Sequence, residues 1–339
     1  MFIKRNSQSV SKKTLIRKGC FYAIPTLLIL TLTGYFMNHT KPQDTNMTVK
    51  QLKKTLDEHG LGNRFKSLKP LIRSSIRLHQ NEFDENKIAI GQTKIGGRPD
   101  LPRQIVWPTE TRVDEDTREE AIKSLSFIAQ INLSEVARYD TEKLLPKSGW
   151  LYFFYTAEQD AWGDDYEDRD KFKVIYWEGN HTELKRTEFP NDLDEYACFK
   201  AGSVKIASEM NLPSIENKFF ENWTEEERDN FSYDILEEFY DGDPKNKLFG
   251  YADVVQDEME LECELVSNGL NCEDLSGYDD PRVKAHEPNA KNWRLLLQID
   301  SNEKNGMMWG DCGVIYFWIK KEDLLNKKFE KVWVILQCS

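Results

Sequence analysis

Apolar residues alternate with polar or small ones through "LSFIAQINLSEV", from Leu125, and again through "WRLLLQIDSNEK", from Trp293. Aligning Gln130 with Gln298 sets Phe127, Ala129 and Ile131 against Leu295, Leu297 and Ile299. The same alignment sets Ile128, Gln130 and Asn132 against Leu296, Gln298 and Asp300. Alternation in one phase predicts two equivalent strands, each with an apolar face and a mixed face. The likeness continues downstream, where "SGWLYFFY" from Ser148 matches "CGVIYFWI" from Cys312 and "FKVIYW" from Phe172 resembles "KVWVIL" from Lys331. Upstream, "GGRPDLP" from Gly96 corresponds more weakly to "FGYADVVQ" from Phe249. Strands persist while the loops between them differ in length, the signature of a duplicated unit.

A helical period governs other stretches. Val49, Leu52 and Leu56 fall on one face between about Met47 and His59, with Gly60 as a stop. A second helix is predicted from Pro70 to about His79 on Leu71, Ile72 and Ile76. Thr224 and Glu227 have capping-box spacing before the stripe Phe231, Ile235, Leu236 and Phe239, which ends at Gly242. A further helix is predicted from Asp257 to Ser267, and the acidic stretch from Leu270 to Asn292 reads as a loop. The expected fold class is therefore α+β: internally duplicated, mostly antiparallel β-sheet repeats with flanking helices. Repeat one spans about 88–205 and repeat two about 246–338, within a body of residues 47–339.

The N-terminus adds a membrane expectation. The first nineteen residues carry Lys4, Arg5, Lys12, Lys13, Arg17 and Lys18 and no acid, and Cys20 to Met37 then runs without a charge. That length suffices for one transmembrane helix, followed by a linker at 38–46. A cleaved signal peptide is the rival reading, but no small-x-small site follows the apolar run. The positive-inside rule then places residues 1–19 in the cytoplasm and the body outside it.

Composition narrows the partners. The 339 residues are 39% hydrophobic and carry a net charge of −12; without the six basic residues of the tail, 40 Lys and Arg face 58 Asp and Glu. Such a surface disfavours nucleic acid. Cys198, Cys263, Cys272, Cys312 and Cys338 form no CxxC pair, so buried free thiols are expected for most of them.

Several spaced motifs together, "IGGRPDLPRQIVWP", "LSFIAQINLSEV", "LPKSGWLYFF" and "WRLLLQIDSNEKNGMMWGDCGVIYFWIKKEDL", resemble the YwqG-like family, a bacterial group of unknown biochemical function. The resemblance covers about Met47 to Cys338. It implies an α+β fold with an internal duplication and brings no established catalytic residues. Some of these relatives resemble toxin and immunity loci in genomic setting, which points towards a protein partner.

The chemistry-bearing candidates are few. Gln130 and Gln298 recur at equivalent positions on the face that also carries Asn132 and Asp300. An amide orients a ligand or satisfies a backbone group but exchanges no protons near neutral pH. Trp107 and Trp309 are candidates for ligand stacking, with core packing as the plainer alternative, and Asp311 stands beside Trp309. "DAWGDDYEDRD", from Asp160, lacks the ligand order of a calcium loop and reads as a solvated loop. The five histidines are scattered, with no HExxH, GxSxG, P-loop or dinucleotide fingerprint. No metal or cofactor is expected. The leading expectation is a binding module with a cleft between the repeats, and the alternative is a hydrolase-like enzyme using carboxylates near Asp300 and Asp311.

Overall fold

The computed structural model describes residues 47–113, 118–215, 217–236 and 244–339. Its strands are β1 (Arg73–Gln80), β2 (Lys94–Ile95), β3 (Asp100–Leu101), β4 (Thr109–Val113), β5 (Glu120–Ser124), β6 (Ser126–Asn132) and β7 (Trp150–Tyr155). Then come β8 (Phe172–Trp177), β9 (Lys185–Arg186), β10 (Gly202–Asn211), β11 (Lys247–Leu248), β12 (Trp293–Asp300), β13 (Val314–Lys320) and β14 (Trp333–Gln337).

Among the described residues, ten strands form one sheet in the order β14-β13-β12-β11-β1-β10-β2-β6-β7-β8, and every neighbouring pair is antiparallel. Read from the β1–β10 pair outward, each arm repeats the other. Strands β2, β6, β7 and β8 on one side match β11, β12, β13 and β14 on the other, and the register slips at Phe127/Ala129 in one arm and at Leu295/Leu297 in the other. The central strands are exchanged: β1, which opens the first half in the chain, pairs with β11 of the second, and β10 pairs with β2 of the first. For the last strands, pairing equates Ile175 with Ile335, because each faces the tyrosine of its neighbour, Tyr152 or Tyr316. That lies two residues beyond the sequence register that sets Lys173-Val174 against Lys331-Val332.

The sheet curls until its two outer strands meet, giving a barrel-like body. Trp333 of β14 packs edge-on against Phe172 of β8, and its indole N–H donates to the Gly163 carbonyl at 2.8 Å. Gly163 has φ +82°, and a Cβ there would lie 1.9 Å from the Val334 carbonyl oxygen, so only glycine closes this seam. Inside, Phe153 and Phe317 occupy equivalent positions on β7 and β13 and touch edge to face, with ring centroids 5.0 Å apart. Both rings are fully buried in the main core cluster with Ile131, Leu151, Leu297 and Ile315. Side chains of this size each contribute about 1.5–3 kcal/mol when removed from water.

The helices are short and lie outside the sheet. Val49–Glu58 starts with a capping box between Thr48 and Gln51 and buries Leu52 and Leu56 beside Phe220, Trp223 and Phe231. The Thr224–Glu227 capping box starts Glu225–Asp229, which widens into a π-helical turn at Asn230–Ile235; the end expected at Gly242 lies outside the described residues. The helix expected from Asp257 is Glu260–Ser267, and the expected loop after it contains helical turns at Ser276–Asp279 and Val283–His286. Cys263, Cys272 and Cys338 are buried, Cys198 is partly buried and Cys312 is exposed, and among the described residues no disulfide joins them.

Three expectations are corrected. The class is not two α+β repeats with a transmembrane helix but a mostly antiparallel, barrel-like sheet with flanking helices, because strand exchange joins the halves into one ladder. The anchor expected at 20–37 lies outside the described residues, and among those described no helix is long and apolar enough to cross a membrane. The placement as a single-pass membrane protein with an extracytoplasmic body therefore has no support and is set aside. Finally, the helix expected at 70–79 is strand β1. Its helical spacing of Leu71, Ile72 and Ile76 coexists with alternation over Ser74, Ile76, Leu78 and Gln80, and pairing with β10 and β11 decides between them.

Candidate functional site

Each half places the same four side chains around one outward-turning loop. After β2 the backbone turns through Gly96 and Gly97 at φ +71° and +74°; after β11 it turns through Phe249 and Gly250 at +62° and +78°. A Cβ on Gly97 would meet that of Ala201 at 2.4 Å, which accounts for glycine there. The turn lifts Asp100 over Gln130 and Asp253 over Gln298. The Asp100 N–H donates to Gln130 Oε1 at 2.7 Å, and Gln130 Nε2 donates to the Gln92 carbonyl at 2.8 Å and to Asp100 Oδ2 at 2.9 Å. In the other half the Asp253 N–H donates to Gln298 Oε1 at 2.9 Å, and Gln298 Nε2 to the Lys245 carbonyl at 2.7 Å and to Asp253 Oδ2 at 3.0 Å. Tyr152 donates to the Asp100 carbonyl at 2.8 Å, and Tyr316 to that of Asp253 at 2.6 Å. Lys94 stands 3.5 Å from Asp100, and Lys247 2.5 Å from Asp253.

The glutamines thus hold the loop. Both are fully buried, so no partner touches them in this conformation. Asn132 and Asp300 also serve the backbone: Asn132 Nδ2 donates to the Gly91 carbonyl at 3.0 Å, and Asp300 Oδ2 accepts from the Lys245 N–H at 2.8 Å. Burial raises the Asp300 carboxyl above its ordinary range. Trp107 donates to the Leu125 carbonyl at 2.8 Å and packs on Phe154, while Trp309 is fully buried between Tyr155 and Phe199. Asp311 is exposed, and no hydrogen bond joins it to Asp300 among the described residues. In the acidic stretch expected to be solvated, Asp160 instead pairs with Arg112 at 2.7 Å and Asp168 with Lys171 at 3.0 Å.

The aspartates and lysines were not singled out from sequence, although Asp100 and Asp253 match in the weak "GGRPDLP"/"FGYADVVQ" alignment and Lys94 and Lys247 stand two residues before it in the same register. In the first half the carboxylate is sealed. Asp100 accepts from the Gly91 N–H at 2.9 Å and from Arg186 Nε at 2.7 Å on its other oxygen, and it is fully buried. Burial alone would raise its pKa, but Arg186, Lys94, Gln130 and the Gly91 N–H together hold it below the usual carboxylate range. Burial pulls the Lys94 ammonium down to about 8, with Arg186 acting in the same direction. Unfolded, that lysine keeps its proton to about pH 10.4, so between those values the unfolded chain binds more protons and stability rises with pH. The urea midpoint is expected to increase from pH 8 towards pH 10 in wild type, and the increase to shrink in Lys94→Met; identical pH profiles would refute this assignment.

In the second half the same loop borders open space. A cavity of about 470 Å³ lies between the outer face of the sheet and the helical layer. Arg77, Glu209, Lys245 and Asp253 form its polar side, and Ile215 and Leu236 part of its apolar side. Asp253 keeps 29% of its side chain exposed. Burial raises its pKa, but Lys247, Lys245 and Gln298 hold it below the ordinary value.

No curated protein matches the chain. The profile of a domain of unknown function, DUF1963, matches residues 93–338, from the residue before β2 to the residue after β14. Both copies of the aspartate–glutamine–tyrosine–lysine arrangement fall within that span, and on this match the chain belongs to the DUF1963 family.

Proposed function

We propose that the protein is a binding module whose site is the cavity beside Asp253. One observation carries this reading: two halves with the same internal bonds differ in what lies over the aspartate. The first half is covered by its own chain, and the second borders a cavity of about 470 Å³, a size that suits a small ligand or a few residues of a partner. The mixed lining, with charges at the floor and aliphatic walls, supplies both orientation and apolar contact. The resemblance of some YwqG-like relatives to toxin and immunity loci in genomic setting agrees with a protein partner.

The test is a thermal-shift screen of the full chain against peptides and metabolites, run beside an Ile215→Trp variant that fills the cavity. Ligands that raise the midpoint of the wild type and leave the filled variant unmoved support the site. A screen whose hits all act equally on both proteins refutes it.

A further inference from the structure

What covers Asp100 in the first half is a short strand of the same chain. Strand β9 pairs with β3, Arg186 opposite Asp100 and Lys185 opposite Leu101, and the Thr187 N–H donates to the Pro99 carbonyl at 2.8 Å. The Arg186 side chain reaches inward. Besides its bond to Asp100 Oδ1 it donates to the Glu85 and Ile88 carbonyls at 3.1 and 3.0 Å. An extended segment with an arginine at its centre is therefore seated on this loop by backbone pairing and a charge-assisted hydrogen bond.

The second half has the same loop, with Ala252, Asp253 and Val254 where the first has Pro99, Asp100 and Leu101. Among the described residues no strand pairs with it, and these three residues line the cavity. Asp253 Oδ2 takes Lys247 and Gln298, while Oδ1, the oxygen that holds arginine in the first half, has no partner among the described residues. A second cation on this carboxylate has a counterpart in the first half, where Lys94 and Arg186 share Asp100.

Resting on the binding reading above, we propose that the second half takes an extended, arginine-containing peptide segment of a partner protein. The segment adds as a strand to Ala252–Val254 and places its guanidinium on Asp253, repeating between molecules what β9 does within the chain. Backbone pairing gives affinity with little sequence demand, and the arginine sets the register.

The probe is a fluorescein-labelled peptide with the sequence of residues 183–189, "ELKRTEF", titrated with the full-length protein and read by anisotropy. A peptide with citrulline in place of the arginine keeps the shape and loses the charge. Saturable binding is expected, weakened at least about tenfold by citrulline, as loss of a charge-assisted bond implies. Asp253→Asn is expected to weaken the arginine peptide similarly and to leave the citrulline peptide unchanged. Val254→Pro removes a backbone N–H of the receiving edge and is expected to weaken both peptides. Equal binding of the two peptides to wild type, or no binding at about 1 mM, in the range of weak complexes, overturns the proposal without needing any protein variant. Should the screen still find ligands that depend on the cavity, the binding reading stands and only the peptide assignment falls.

Discussion

Asp100→Asn is expected to destabilise the protein by about 3–5 kcal/mol, the range seen when one partner of a buried ion pair is removed. The substitution keeps the shape of the side chain and leaves Lys94, fully buried, and Arg186, 15% exposed, facing a neutral amide. An asparagine also offers an N–H₂ group where Asp100 accepts from Gly91 on one oxygen and Arg186 on the other, so one bond becomes a donor–donor clash. Asp253→Asn removes the same charge from the second half and leaves the buried Lys247 facing an amide, but the carboxylate is partly exposed and one oxygen is unbonded, so the cost is expected to be about 1.5–3 kcal/mol, the range of one hydrogen bond to a charged group. Urea unfolding at pH 7 compares the two variants by their midpoints at constant slope. Equal losses would mean that the two sites are energetically alike and that the seal of Arg186 contributes nothing. The pH dependence follows from the same bonds. Because the Asp100 carboxyl titrates below its ordinary value when folded, its contribution is full above about pH 4 and fades as pH falls through the folded value. The gap between wild type and Asp100→Asn is therefore expected to narrow in acid.

Phe317→Ala is expected to cost about 3–5 kcal/mol, as is Phe153→Ala, since each empties a ring-sized volume in the closed interior. The two rings touch each other across the pseudo-two-fold relation of the halves. Their losses are therefore expected to fall short of additive. The double variant should be less destabilised than the sum by about 0.5–1.5 kcal/mol, the worth of an aromatic pair beyond its buried area. Denaturation of the wild type, both single variants and the double variant closes this cycle. Strict additivity would show that the rings stabilise their own halves and not the junction between them.

Much of this architecture was legible in the sequence, though not its closure. The alternation around Gln130 and Gln298 was clear because both faces of β6 and β12 repeat residue by residue. The matching lysines and aspartates were harder to see: short strands β2 and β11 offer two residues each, too few for a period to show. Strand β1 was misread because Leu71, Ile72 and Ile76 fit a helical spacing, and the competing alternation of Ser75, Arg77 and His79 with Ile76 and Leu78 is too short to decide between the two periods. Strand exchange leaves no local trace, since it is a choice of partner and not of conformation. Arg186 was equally invisible as a lid on Asp100, because the two lie 86 residues apart and meet only through the β3–β9 ribbon. Recurrence at one register left the glutamines two roles, orienting a ligand or satisfying a backbone group, and the bonds in both halves are of the second kind.

The exchanged central strands bear on ancestry. A polypeptide holding only one copy of this unit would carry its first strand away from its own sheet, leaving the edge of the next strand bare and an apolar interior half enclosed. Two such polypeptides related by a two-fold axis would each lend that strand to the other and meet at a phenylalanine touching its own symmetry mate. The chain has the geometry of such a swapped homodimer joined end to end, with one copy closed over its aspartate and the other open.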